Sequence, residues 1–196
     1  MKNKLPLLQL LFLLFSVAVS AQNSSVVVKF NGDSINCEHI ITGGKYIVCK
    51  TKGQDKIKVD YKEVSYIIRR EYVTAIDKEG KPQQVFGVMK CIVADGGLEY
   101  DVRIENDSVI LGSFMNEVNG MYFHDYYLFN KKNNDKIMQI RKDKTAPATL
   151  KKYFGGPGCP EFDKLITDSQ PQFDKAIFPY DKWNDLLREY KKYCSK

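Results

Sequence analysis

Eight residues near the C-terminus, Tyr153-Phe154-Gly155-Gly156-Pro157-Gly158-Cys159-Pro160, constrain the chain more than any other stretch. Three glycines and two prolines in succession exclude a regular helix or strand there, because glycine leaves the backbone unfixed and proline removes a donor. The patterns before this seam read as β-structure and those after it as helix. Pro160 suits the first position of a helix, where its missing N–H has no partner to lose.

From Val26 to Arg70, short apolar runs alternate with turn signals at regular spacing, the signature of a β-meander. Val26 to Phe30 ends at Asn31-Gly32-Asp33, Ile35 to Ile41 at Gly43-Gly44, and Lys45 to Lys50 at Gly53-Gln54-Asp55. Lys56 to Tyr61 alternates strictly, so Ile57, Val59 and Tyr61 share one face. Glu63 to Arg70 supplies a fifth strand. Five short strands of this kind curl into a small SH3-like or Sm-like barrel, or lie in an open sheet that shares its core with the remainder.

The middle of the chain, Tyr72 to Lys144, mixes signals. Val85, Val88, Met89, Ile92 and Val93 recur at i, i+3, i+4, i+7 and i+8, which predicts a helix, against the β-branched content of the same run. Leu98–Ile104, Ser108–Leu111, Tyr122–Asn130 and Lys136–Arg141 read as strands, with turns at Asn106-Asp107 and at Lys132-Asn133-Asn134-Asp135. Tyr122, Phe123, Tyr126, Tyr127 and Phe129 form an aromatic cluster suited to cross-strand packing.

After the seam, a first helix opens at Pro160 with Glu161 and Asp163 in its first turn, where carboxylates suit the helix dipole, and with Phe162, Leu165 and Ile166 as its apolar stripe. Asp168 to Pro179 reads as a loop. A second helix starts near Asp181, a good N-cap, and places Trp183, Leu186, Leu187, Tyr190 and Cys194 on one face. The fold class is therefore α+β: a β-meander or small barrel over residues 22–75, a second β-rich segment over 76–145, and a helical tail over 146–196 that contains a helical hairpin.

Residues 1–21 carry the order of an export leader. Lys2 and Lys4 precede an apolar run from Leu5 to Val19, and Val19-Ser20-Ala21 offers a small-residue cleavage site, so the mature chain is expected to begin at Gln22. The run is shorter than the ~20 residues a membrane helix needs, and no later stretch is apolar enough to span. Cleavage leaves 175 residues (196 minus 21) and lowers the formal charge from +6 to +4. The remaining lysines are interspersed with acidic residues, which argues against a nucleic-acid partner. A periplasmic or secreted location follows.

Taken together, Asn31-Gly32-Asp33-Ser34-Ile35, Ile57-Lys58-Val59, Val64-Ser65-Tyr66-Ile67, Asp95-Gly96-Gly97-Leu98-Glu99-Tyr100, Tyr126-Tyr127-Leu128, Tyr153-Phe154, Cys159-Pro160-Glu161 and the closing Tyr190 and Cys194 form an order that resembles the uncharacterised exported proteins of Bacteroidetes-type bacteria. The resemblance runs over nearly all of the mature chain. It implies the order of the fold and export, and carries no activity to transfer.

Motifs for chemistry are mostly absent. His39 and His124 belong to no metal-ligand spacing, no cofactor fingerprint occurs, and Gly155-Gly156-Pro157-Gly158 lacks the Lys and Ser/Thr of a phosphate loop. Cys91 lies in an apolar run, where an inert buried thiol outweighs a nucleophile paired with either histidine. Five cysteines in an exported chain point to disulfides. Cys159 and Cys194 come together if the two helices run antiparallel. Cys37 and Cys49 flank the Gly43-Gly44 turn almost symmetrically, and are either bonded across a hairpin or free core thiols on neighbouring strands. Two functions remain: a non-catalytic exported domain that binds another envelope protein or a surface ligand, or an envelope hydrolase using carboxylates such as Asp101, Glu105 and Asp125.

Overall fold

The computed structural model of the chain describes residues 24–51, 53–76, 82–119, 121–173 and 180–194. The leader read at residues 1–21 lies outside them. The described strands are β1 (Ser25–Lys29), β2 (Ser34–Cys37), β3 (His39–Ile41), β4 (Tyr46–Lys50), β5 (Ile57–Asp60), β6 (Val64–Ile76), β7 (Pro82–Ala94), β8 (Leu98–Glu105), β9 (Val109–Val118), β10 (Met121–Asn130) and β11 (Lys136–Ile140). Three helices follow: α1 (Ala146–Phe154), α2 (Pro160–Phe173) and α3 (Tyr180–Cys194).

The fold is α+β. A large antiparallel sheet of eight strands runs in the order β11-β10-β9-β8-β7-β6-β1-β2, and β3-β4-β5 form a second sheet of three. The described strands form no closed barrel. The large sheet takes strands from both sides of residue 75, and β6 itself crosses that position. The run read as one strand from Ile35 to Ile41 is two. It leaves the edge of the large sheet after Cys37 and enters the small sheet at His39.

The stretch expected to be helical at Val85–Val93 is a strand. β7 pairs with β6 over ten residues, from Ile67↔Cys91 to Ile76↔Pro82, and then with β8 from Cys91↔Asp101 to Ala94↔Leu98. Its helix-like spacing arises because its surroundings change along its length. Val85 and Val88 are exposed, whereas the consecutive Ile92 and Val93 are both buried, one on each face of the sheet. Burial on both faces erases the period of two.

One cross-strand row shows how the layers sit. Val27, Ile67, Cys91, Asp101, Ser113, Tyr126 and Ile140 are successive neighbours across seven strands. At the β1–β6 end, the small sheet covers this face, and Val27, Ile67 and Val93 pack with Ile40, Ile47 and Val59. At the β10–β11 end the helices cover it, with Trp183 fully buried against Tyr126 at 5.1 Å and Phe173 at 6.2 Å between ring centroids. The opposite face curls on itself around Ile92, Tyr100, Ile110 and Phe129. Asn134, in a left-handed conformation at φ 58°, clasps that curl by donating to the carbonyls of Val64 and Ser65 at 3.0 and 2.8 Å.

The small sheet meets the large one turn to turn. Gly43 N–H donates to Gly97 O at 2.9 Å and Gly44 N–H to Gly96 O at 3.0 Å. Gly97 has φ +100°, and a Cβ there would lie 2.1 Å from Gly44 O, so glycine is required by both conformation and space.

In the tail, α1 precedes the seam, inside the stretch expected to be helical but ahead of the first helix expected at Pro160. Pro147 in its first turn supplies the start signal, and Leu150 and Phe154 are buried. α2 opens at Pro160 as expected but does not stop at Asp168. It runs to Phe173 with Pro171 inside, because burial of Phe173 against Trp183 outweighs the one backbone bond that a late proline removes. The remainder of the expected loop, residues 174–179, lies outside the described residues, as does the side chain of Asp181. The described part of α3 begins at Tyr180.

Candidate functional site

The four paired cysteines fall at two seams of the structure. Cys159 at the start of α2 and Cys194 at the end of α3 are at disulfide distance, with Cα atoms 5.4 Å apart, as antiparallel helices require. Cys37 and Cys49 are also at disulfide distance, with Cα atoms 5.3 Å apart and both side chains fully buried. Their geometry differs from a hairpin pair. Cys49 stands opposite Ile40 and Ile57 in the small sheet, while Cys37 stands opposite Ser25 in the large one, so the pair joins the two sheets.

Where the two covering layers leave a gap, the row across the large sheet turns polar. Arg69 on β6 forms a fork with Glu99 on β8: Nη2 donates to Oε2 at 2.6 Å, and Nε donates to Oε1. Thr42 Oγ1 donates to the same carboxylate at 3.0 Å, and Arg69 Nη1 donates to Ile40 O at 3.3 Å. The side chains are only 16% and 18% exposed, so the pair is largely desolvated. Burial pushes the Glu99 carboxyl up, but the Arg69 bonds and charge outweigh it and hold it below its ordinary value of 4.5.

Cys91 lies beside this fork, and its Sγ donates to Asp101 Oδ1 at 3.5 Å. Burial, followed by the charges of Glu99 and Asp101, raises the thiol far above its ordinary range. A thiol held neutral by burial and by two neighbouring carboxylates is a poor nucleophile, so the chemistry of Cys91 is that of a buried structural group. His124 is partly buried at the helix-covered end. Burial, and then the charges of Arg103 and Lys142, lower its pKa. His39 is exposed on β3.

The three carboxylates named as candidates for acid and base do not converge. Asp101 faces Cys91, whereas Asp125 accepts from Asn116 Nδ2 on the neighbouring strand. Glu105 is gripped by Lys90 and by Lys131, the latter at 3.3 Å. Burial pushes Glu105 up, but the two ammonium groups more than offset it and keep it ionised, which does not suit a general acid. Glu105 and Asp107 border a cavity of about 330 Å³ beside Gly155, Gly158 and the Cys159–Cys194 pair. Tyr190 Oη donates to Glu105 O there at 3.4 Å. Among the described residues, no group of three or more His, Cys, Asp or Glu side chains is placed to hold a metal ion.

Glu99, Glu105 and His124 give stability the same pH dependence. A group whose folded pKa is depressed contributes stability that is present above its unfolded value and lost as pH falls through the folded one. The melting temperature is therefore expected to hold near neutrality and to fall first below the ordinary histidine value of 6.5, then more steeply below the carboxylate value of 4.5. Melting curves that stay flat down to about pH 4 would contradict this assignment.

The most exposed apolar surface lies elsewhere, and the sequence reading missed it. β1 accompanies β6 only as far as Ile68, and β8 accompanies β7 only from Cys91 onward. Beyond these points β6 and β7 continue alone as a two-stranded arm of eight residue pairs, Arg69↔Met89 to Ile76↔Pro82. At ~3.3 Å per residue it projects roughly 25 Å. Tyr72 and Phe86 stand opposite each other on one face with ring centroids 5.4 Å apart, and Val88 shares that face. Tyr72 is 71%, Val88 62% and Phe86 39% exposed.

No helix among the described residues is long and apolar enough to cross a membrane. The chain matches no protein-family model, no curated protein and no solved structure.

Proposed function

We propose that this protein is an exported, non-catalytic binding module that docks on another envelope component or a surface ligand through the β6–β7 arm. The observation that carries the reading is the arm itself. An isolated two-stranded ribbon gains little stability of its own in water, and one that shows Tyr72, Phe86 and Val88 to solvent presents apolar surface with no structural use in the free chain. The two cysteine pairs at disulfide distance support a location outside the reducing cytoplasm, in keeping with the leader at residues 1–21. The dispersal of Asp101, Glu105 and Asp125, each engaged by a different neighbour, takes support from the hydrolase alternative.

The test is capture from an envelope extract with the exported protein as bait, alongside a Tyr72→Ser/Phe86→Ser variant. Both side chains are partly or largely exposed, so the variant is expected to melt within a few degrees of the parent and to lose its captured component. Equal capture by a folded variant would remove the arm from the interaction.

A further inference from the structure

We infer that the outer edge of β7 is a pairing edge for a second copy of this chain, joined antiparallel about a two-fold axis at Gly87. This rests on the reading of the arm as a docking element and names its occupant.

From Pro82 to Lys90, the side of β7 turned away from β6 has no partner strand among the described residues. Its open backbone donors and acceptors are met only by another extended strand, so the occupant is a β-strand rather than a helix or a compact ligand. The two edges of the arm differ in how they are guarded. On β6 the unaccompanied stretch carries Arg70 and Glu71, charged side chains of the kind that discourage edge pairing. On β7 the residues from Pro82 to Met89 are Pro-Gln-Gln-Val-Phe-Gly-Val-Met, without a charge. A strand that meets its own copy suffers like-charge repulsion wherever it is charged, and this one is not.

The register follows from symmetry. Two identical antiparallel strands are related by a two-fold axis normal to the sheet, which keeps each face on its own side. An axis at Gly87 sets Phe86 opposite Val88 of the second copy, and Val85 opposite Met89, on the two faces in turn. Aromatic-to-β-branched contacts of this kind stabilise strand pairs. The Tyr72–Phe86 pair of one arm then continues into Val88 of the other, so the residues most exposed in the single chain are covered together. The ladder ends at Gln84 opposite Lys90 of the second copy, because Cys91 is already paired with Asp101 of β8.

Sedimentation equilibrium of the exported protein across a wide concentration range tests the proposal. The mass is expected to rise from one chain toward two. Val88→Lys is expected to raise the dissociation constant at least about tenfold by setting a charge at the contact, whereas Glu71→Lys on the guarded edge leaves the dimer intact. Gly87→Cys is expected to give a dimer cross-linked through residue 87 under mild oxidation, lost on reduction. A single-chain mass at every concentration would overturn the pairing. So would a dimer indifferent to Val88→Lys in a variant that melts like the parent. If the chain stays monomeric while the arm variants still lose an envelope component, the binding-module reading stands and the partner is not a second copy. If capture is also unaffected, both fall.

Discussion

Arg69→Ala is expected to destabilise the protein by about 3 kcal/mol, because it leaves the Glu99 carboxylate largely buried without its counter-ion. Thr42 Oγ1 would still donate to Glu99, but one neutral hydroxyl does not replace a guanidinium fork. The sharper expectation is a difference. Arg69→Met combined with Glu99→Met removes both charges and keeps apolar volume, and such replacements cost far less than breaking a pair, here about 1 kcal/mol. Urea midpoints for the single and double variants decide the matter. Equal losses would mean that the two groups do not act as a pair.

The second large effect concerns the clasp at the end of the tail. With Cys159 and Cys194 separated by 35 residues, cross-linking restricts the unfolded chain by roughly 4 kcal/mol in the loop-entropy account. Cys194→Ser, or Cys159→Ser, is therefore expected to lower the melting temperature by on the order of 10 °C for a chain of this size. The loss should centre on α3, whose Trp183, Leu187 and Tyr190 hold it to the sheet and to α1 and α2. Reduction of the parent protein should lower the melting temperature further than the substitution, by the smaller share that belongs to Cys37 and Cys49. If either serine variant melts like the parent and shows no new reactive thiol, the two cysteines are not bonded.

Much of this architecture was legible where a single rule governs. The strand at Ile57–Asp60, the glycine turns, the start of α2 at Pro160 and the inward placing of Cys194 all depend on local chemistry that a window of residues contains. The misreadings share another cause: the decisive contact lay far along the chain. β7 looked helical because its two ends lie in different environments, and α2 overran its expected end because Phe173 meets Trp183. The break after Cys37 was invisible for the same reason, since only the position of the small sheet over the large one explains why the chain changes sheets there. Of the candidate site, the approach of Cys159 to Cys194 could be read from residue order. The arm could not, because a strand's neighbours end where other strands end, and that is a property of the assembled sheet.

The meeting of the Gly43-Gly44 and Gly96-Gly97 turns bears on how kindred chains are to be recognised. Side chains elsewhere in the two sheets can be exchanged for others of similar size, so overall identity drifts quickly while the architecture persists. No such exchange is open at Gly97, where Gly44 O occupies the space of a side chain and the backbone lies in the left-handed region. Gly44, at φ +124°, is closed to other residues by conformation alone. A pair of glycine doublets, one in a short hairpin of the small sheet and one between two long strands of the main sheet, is thus a more durable fingerprint of this fold than its strands.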